Sequence, residues 1–343
     1  YSITKEYETF LGPIDELIVS GGGSHNKYII KLLEEEALPI SIGEIWYNGY
    51  RHIQSVVKVS ANGEHFVHNN ICKAVQLAES KKISARQGCT LSTLIARKGI
   101  PWNVPLSGAT IKGLYSFSFG KATIHILSPK SDDISNVESF WKKKLIIDGL
   151  LSKAHSEEFW DDAFEYSLSK DKPGFHYHER NVSKSYDLIK MMEEIYEPDD
   201  SATNGSSIAF VLEVDEKRVL FLGDAHAETI VDSLMELYGK GNAPFWFDAV
   251  KLSHHGSYNN NSPELLKLVR CNNWLISTNG DKYNHPDLPT LAHIIANGNN
   301  HEPRLYFNYN IELSRELTAQ SYHDDFEFEI ITPVGEQGIT ITI

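Results

Sequence analysis

Three stretches in the second half of the sequence each place Asp or His directly after an apolar segment. They are RVLFLGDAHAE (218–228), FDAVKLSHHGSYNNNSPELL (247–266) and LISTNGDKYNHPDLPTL (275–291). Each pattern is typical of a strand that ends in a turn before a helix begins. Because active-site residues of open α/β sheets gather at the carboxyl ends of the strands, the three stretches predict one cleft for metal binding or acid–base chemistry.

Asp224 and the paired histidines are the principal candidates for catalysis. Gly223 frees the backbone to turn and Asp224 follows at the strand end, although a carboxylate there could instead cap the next helix. The adjacent side chains of His254 and His255 point in different directions, so one can bind a metal while the other orients or protonates a substrate. We therefore expect Asp224, His254 and His255 to be catalytic.

The third stretch adds Asn279, Asp281 and His285 just before a helix. We expect Asn279 to contact the substrate, together with Ser257 of the second stretch. His226, in the first stretch, is a further candidate for substrate binding. A histidine at the start of a helix is, however, more often merely exposed.

Residue periodicity predicts an α/β fold with interleaved strands and helices. Strands are predicted at 14–20, 43–47, 122–127, 206–214, 217–222, 248–252, 273–278, 303–308, 326–332 and 338–343. Helices are predicted at 26–36, 71–80, 90–97, 136–153, 183–196, 227–239, 262–270 and 288–298. A turn at Asp215 and Glu216 is expected to join two of the strands as an antiparallel hairpin.

Composition excludes several classes of protein. A formal net charge of −14 argues against a protein that coats nucleic acid, since phosphate neutralisation needs clustered Lys and Arg. It still permits an enzyme that meets a phosphodiester through metal ions. Because no run of about 18 apolar residues and no signal-peptide pattern is present, we expect a cytoplasmic protein without a membrane segment. The three widely spaced cysteines predict neither disulfides nor a thiolate zinc site.

The segments NGSSIAFVLEV, RVLFLGDA, DAVKLSHHGS and ISTNGDKYNHPD, in this order and spacing, resemble the metallo-β-lactamase-fold hydrolases related to the soluble domain of the DNA-uptake protein ComEC. The resemblance covers residues 204–300 and, more weakly, 14–47. It implies a four-layer αβ/βα sandwich, with residues 1–343 as a single domain and a long insertion at about 51–205. It also implies metal binding by Asp224, His254 and His285.

The glycine loop in LIVSGGGSHNKYIIKLL (17–33) lies where the family has its H-x-[HD]-x-D-H metal motif. Three expected ligands are replaced by Ser20, Gly22 and Ser24, and His25 remains as a metal ligand. One Zn or Mn ion is therefore expected more than two. A dinucleotide-binding loop does not fit, because Asn26 stands where its third glycine is required.

The origin of this loop stays open, since GGGS is also typical of engineered linkers. The family usually begins with further strands, whereas only about 13 residues precede the first predicted strand here. We expect an upstream segment, another chain or a homodimer partner to cover the resulting sheet edge.

The resemblance implies a metal-dependent hydrolase that acts on phosphodiesters, either nucleic acid or a nucleotide. Stand-alone relatives of this type often occur in bacterial defence or mobile-element settings. The alternative is a catalytically inactive scaffold that keeps the fold and binds a protein partner. A third hypothesis is a hydrolase of acyl or lactam substrates, since fold alone does not fix function.

Overall fold

A computed structural model describes residues 42–53, 91–147, 187–280, 284–297, 302–319, 326–334 and 338–343. Contacts divide the chain into two compact units. Of the described residues, 42–53, 91–111 and 131–147 belong to the first unit, and all others belong to the second. The prediction of one domain with an insertion at 51–205 stays a prediction.

The first unit is mostly helical where it is described. Its helices are α1 (Tyr50–Ile53), α2 (Leu91–Lys98) and α3 (Ser131–Ile147), with a 3₁₀ turn at Val104–Leu106. Leu91, Leu94 and Ile95 recur at helical spacing on α2 and pack in a small apolar cluster with Ile45. The predicted strand at 43–47 is reduced to a single bridge between Ile45 and Trp102, which corrects that prediction.

The second unit contains all the regular strands among the described residues. The strands are β1 (Tyr115–Phe119), β2 (Ala122–Ser128), β3 (Ala209–Val214), β4 (Lys217–Phe221), β5 (Phe245–Phe247), β6 (Ala249–Lys251), β7 (Val269–Cys271), β8 (Asn273–Ile276), β9 (Arg304–Phe307) and β10 (Glu329–Ile331). The helices are α4 (Leu188–Met191), α5 (Ala202–Gly205), α6 (Ala227–Tyr238), α7 (Pro263–Leu268), α8 (Leu288–Asn297) and α9 (Glu312–Ala319). This interleaving confirms the predicted α/β class.

Eight of these strands form one mixed sheet in the order β1-β2-β3-β4-β6-β8-β9-β10. The first four strands pair antiparallel, and the remaining neighbours from β4 to β10 pair parallel. Strands β5 and β7 form a separate parallel pair. The parallel half therefore sends the carboxyl ends of β4, β6 and β8 to the same edge of the sheet.

The hairpin between β3 and β4 has the predicted turn. Asp215 and Glu216 both have positive φ, at 46° and 68°, which is the conformation that a two-residue hairpin of the right twist requires. Val214 pairs with Lys217 directly across the turn. The hairpin prediction is confirmed, because its signal is local in the sequence.

Several other predicted elements differ from the structure. The helix predicted at 262–270 ends at Leu268, and the chain continues as β7. Residues 338–343 form no strand. Within the described part of 183–196, only Leu188–Met191 is helical. The predicted elements at 14–20, 26–36 and 71–80 lie outside the described residues.

A continuous apolar core holds the second unit together. Val211, Leu220 and Val250 are fully buried along adjacent strands, and Ile230 and Leu234 of α6 pack in the same cluster. Among the residues that the structure describes, no helix is both long and apolar enough to cross a membrane.

Candidate functional site

The turns after β4, β6 and β8 carry the polar residues that the sequence singles out. The three strands are adjacent and parallel, with Phe221 opposite Lys251 and Lys251 opposite Leu275. Their carboxyl ends therefore lie side by side. Asp224 follows β4, the histidine pair follows β6, and His285 lies beyond β8 in the segment leading to α8.

Asp224 lies in a tight turn that depends on Gly223. The φ of Gly223 is +56°, and a Cβ there would lie 3.2 Å from the carbonyl oxygen of Ile208, so a larger residue would be strained and crowded. The alternative role of Asp224 as a helix cap is wrong. Helix α6 has His226 as its N-cap residue, without a side-chain capping bond.

The histidine pair occupies a strained turn. His254 and His255 have φ of 41° and 59°, in the left-handed region that costs a non-glycine residue about 1–3 kcal/mol. Gly256 follows at φ +90°, and a Cβ there would lie only 2.6 Å from Cβ of Pro286. Such strain is commonly concentrated at functional sites and persists only when the surroundings hold it.

Backbone hydrogen bonds hold this turn to both neighbouring loops. The amide of His254 donates to the carbonyl of Gly223 at 2.9 Å, and the amide of Asp287 donates to the carbonyl of Gly256 at 3.1 Å. The buried side chain of Asn261 also braces the turn, since its Nδ2 donates to the carbonyls of Ser253 and Ser257. The three loops consequently form one connected structure.

Three imidazole rings gather at this edge. The ring centroids of His254 and His255 are 5.9 Å apart, and those of His254 and His285 are 5.4 Å apart. Pairs of rings at this spacing are close enough to act on one small ligand. The structure therefore brings together His254, His255 and His285, as the sequence predicts.

Each of these rings has its Nδ1 atom against an oxygen acceptor. Nδ1 of His254 lies 2.9 Å from Oδ1 of Asn260, and Nδ1 of His285 lies 2.9 Å from Oδ1 of Asp287. Nδ1 of His255 is hydrogen-bonded to the carbonyl of Ser277. Because such oxygens accept hydrogen bonds, each neutral ring carries its proton on Nδ1 and its lone pair on Nε2.

Lys251 is a cation that the sequence analysis missed. It ends β6, and its Nζ donates to the carbonyl of Leu252 at 2.8 Å. Burial lowers the pKa of Lys251 to about 8, and attraction to Asp224 opposes this shift. The signal in the sequence was a lysine at the end of an otherwise apolar strand.

His255 is also perturbed by its surroundings. Desolvation lowers the pKa of His255 although the residue as a whole is exposed, and the charge of Lys251 lowers it further. The hydrogen bond to Ser277 and the charge of Asp224 act in the opposite direction. Because the net shift is downward, the neutral imidazole is the main form at pH 7.

The other predicted site residues are placed differently. Nε2 of His226 contacts the carbonyl of Ser201 at 3.0 Å, and its ring packs against Gly205, where a Cβ would lie 2.7 Å from Cε1. Ser257 is buried and Asn279 is exposed, and their substrate-binding roles stay predictions. His25 lies outside the described residues, as do Ser20, Gly22, Ser24 and Asp281.

A second group of polar residues beside His254 was also missed. Oδ2 of Asp199 accepts hydrogen bonds from Nδ2 of Asn204 at 2.7 Å and from Nδ2 of Asn260 at 2.8 Å. Asp199 and Asn260 are 61 residues apart, so no local pattern connects them. The sequence gives only a weak indication of this group, because Asp199, Asn204 and Asn260 lie in segments whose composition is typical of loops.

No family model matches the chain, and a search of curated proteins finds no significant match. In the part of the chain that the structure describes, no group of three or more His, Cys, Asp or Glu side chains is arranged to hold a metal ion.

Proposed function

We propose that the protein is a metal-dependent hydrolase of phosphodiesters, with the four-layer αβ/βα sandwich of the metallo-β-lactamase fold. The observation that carries the proposal is the cluster of three imidazoles at the carboxyl ends of β6 and β8, each with Nδ1 hydrogen-bonded to an oxygen. Metal-binding histidines usually have their second ring nitrogen fixed in this way. Asp224 adds a carboxylate at the same sheet edge.

The imidazoles fit a metal ion by their chemistry, although the described side chains do not complete a ligand set. Zn²⁺ and Mn²⁺ accept imidazole and carboxylate ligands. By the resemblance, His254, His285 and Asp224 are the candidate ligands, although the described residues include no group of three such side chains arranged around one ion. The chemistry that a bound ion supplies is a lower pKa for water and stabilisation of charge on the phosphoryl oxygens.

His255 is proposed to move the proton in this reaction. In its neutral form it accepts a proton from the water that attacks phosphorus, and it returns this proton to the leaving oxygen as the P–O bond breaks. The products are a phosphate monoester and an alcohol. The lowered pKa of His255 supports this role, because the ring must be unprotonated before the water attacks.

The phosphodiester class is favoured by one cation at the site as well as by the resemblance. Lys251 lies close enough to Asp224 and His255 to act on both electrostatically. A positive charge there attracts an anionic substrate to a chain whose overall charge is −14.

The experiment is a cleavage assay with Mn²⁺ or Zn²⁺ on bis(p-nitrophenyl) phosphate, single- and double-stranded DNA, RNA and cyclic nucleotides. We expect turnover by the wild type and a loss of at least about 100-fold in Asp224→Asn. The matched control is Asp215→Asn, an exposed Asp at the β3–β4 turn where φ is 46°, since Asn tolerates that conformation.

Two results would count against the proposal. Cleavage of none of these substrates by the wild type would favour the inactive scaffold. Equal activity in the wild type and Asp224→Asn would remove Asp224 from the site, even if the protein is an enzyme.

A further inference from the structure

The side chain of Asp199 contacts Asn204 and Asn260, and both of these residues contact His254. Its Oδ1 accepts from the backbone amide of Ser201 at 2.9 Å, and its Oδ2 accepts from the amides of Asn204 and Asn260. The amide of Asp199 also donates to the carbonyl of Asn259 at 3.0 Å. Asp199 is thereby held by its main chain and by both carboxylate oxygens.

These contacts fix which way the amide of Asn260 points. Its Nδ2 faces two acceptors, Oδ2 of Asp199 at 2.8 Å and the carbonyl of Asp224 at 3.3 Å. A flipped amide would place Oδ1 against both of these oxygens. Since Asn260 is only 1% exposed, water cannot relieve that mismatch, which costs about 1–3 kcal/mol for an unsatisfied buried group.

The orientation of Asn260 in turn decides the tautomer of His254. Oδ1 of Asn260 faces Nδ1 of His254 at 2.9 Å, and this oxygen can only accept a hydrogen bond. Nδ2 of Asn204 lies at a longer 3.4 Å from the same ring nitrogen and already donates to Asp199. The shorter contact therefore dominates and places the proton on Nδ1.

We propose that Asp199 is a positioning residue that acts through Asn260 to keep the proton of His254 on Nδ1 and its lone pair on Nε2. The catalytic consequence rests on the proposed function, because Nε2 is then the atom that meets a metal or substrate. The tautomer itself exists in the resting protein and can be measured without turnover.

The test is long-range ¹H–¹⁵N NMR of the chain labelled with ¹⁵N-histidine, at a pH where His254 is neutral. The His254 signal is assigned by its loss in His254→Gln. We expect the Nδ1–H tautomer in the wild type. In Asn260→Ala the acceptor at 2.9 Å is lost while the donor amide of Asn204 stays 3.4 Å from Nδ1, so the proton is expected to move to Nε2.

Asp199→Asn tests the role of the carboxylate. The introduced side-chain amide cannot accept at both of the positions where the carboxylate accepts, so the orientation of Asn260 is no longer enforced. We expect the Nδ1–H form to lose its dominance. The matched controls are Asp200→Asn and Asn259→Ala, which change exposed neighbours and should keep the wild-type tautomer.

A wild-type spectrum with the proton on Nε2 would overturn the inference without any variant. An unchanged tautomer in Asp199→Asn would also overturn it, even if Asn260→Ala shifts the proton. An unchanged tautomer in Asn260→Ala would overturn it as well, whether or not Asp199→Asn folds as judged by circular dichroism.

Turnover gives a separate measurement. If the wild type cleaves a phosphodiester, Asp199→Asn should lower kcat by about 10- to 100-fold with little change in KM. An inactive wild type with the expected tautomers would contradict the proposed function and leave the role of Asp199 supported. The two failures are therefore distinguishable.

Discussion

The parallel and antiparallel halves of the sheet each bring a histidine together with an acidic or amide side chain. The two groups differ in the backbone conformation of their histidines. In the antiparallel half, Oγ of Ser116 lies 2.6 Å from Nδ1 of His125, and Nε2 of His125 lies 3.3 Å from Glu213. These three residues occupy regular strands. In the parallel half, His254 and His255 occupy a left-handed turn.

The Ser116–His125–Glu213 group follows directly from strand pairing. Ser116 and His125 are paired residues of β1 and β2, and Glu213 lies diagonally across on β3. Cross-strand neighbours of this kind meet in any antiparallel sheet. Nε2 of His125 is close to Glu213 but makes no well-aligned hydrogen bond. Proximity of a histidine and an acid is thus weak support for a site.

The site at the parallel edge has features that pairing alone does not produce. Its backbone is strained at two successive histidines, and hydrogen bonds join its three loops. Each of the three rings also has an oxygen partner at Nδ1. Asp215 and Glu216 also have positive φ in an ordinary hairpin. The comparison therefore teaches that a candidate site is better recognised by backbone strain combined with side chains held by hydrogen bonds than by strain or residue type alone.

The largest expected contrast is between the two histidine substitutions His254→Gln and His125→Gln. His254→Gln should lower phosphodiester turnover by about 100- to 10,000-fold, the scale of a lost acid–base or ligand group. His125→Gln should leave turnover unchanged, because its partners lie on the antiparallel half. Steady-state kinetics on the same substrate check both. Equal losses in the two variants would remove the distinction between the regions.

Alanine substitution of one glycine in each half compares their backbones. Gly256→Ala should lower the free energy of unfolding by about 4 kcal/mol, because it adds left-handed strain to a clash with Pro286. Gly120→Ala, at the β1–β2 turn, should cost only about 1 kcal/mol, since its φ is +57° and nothing lies within 4 Å of the added Cβ. Urea unfolding measures both values. A similar cost at the two positions would show that the histidine turn is not tightly packed.

A third contrast concerns two lysines and the pH dependence of stability. Because the folded pKa of Lys251 is about 8 against an ordinary 10.5, the unfolded chain binds more protons between these pH values. The free energy of unfolding should therefore rise with pH through this window, by at most about 3 kcal/mol from this group. Lys251→Met should abolish that rise.

Lys217→Met is the matched change in the antiparallel half. Lys217 forms an exposed ion pair with Asp248 at 2.9 Å, and its loss should cost less than about 1 kcal/mol. This variant should retain the rise seen in the wild type between about pH 8 and 10.5. Urea titrations at several pH values would contradict the account if both lysine variants behave alike.

The parts of the fold that sequence predicts are those with a local signal. The β3–β4 hairpin has its turn residues between two apolar strands, and the strand ends at Asp224 and His254 precede clear turns. Strand β7 was missed because the helical pattern predicted at 262–270 runs into it, and β5 was missed because it lies directly before the strand predicted at 248–252. Residues 338–343 alternate in the sequence but form no strand, since alternation does not supply a pairing partner.

The candidate site was predictable in its residue types and less so in its connections. Three strand ends sufficed to predict that Asp224, His254 and His285 share a sheet edge, because parallel strands align their carboxyl ends. The hydrogen bond between Asp199 and Asn260 joins residues 61 positions apart, and the charge of Lys251 acts through space. Neither of these two interactions produces a periodic pattern in the sequence.

Metal binding measured by titration calorimetry tests the central claim most directly. We expect the wild type to bind about one equivalent of Zn²⁺ or Mn²⁺ through imidazole and carboxylate ligands. His254→Gln and Asp224→Asn should weaken this binding by at least about 10-fold, while His125→Gln should leave it unchanged. Absence of binding to the wild type, or equal affinity in the wild type and His254→Gln, would contradict the account.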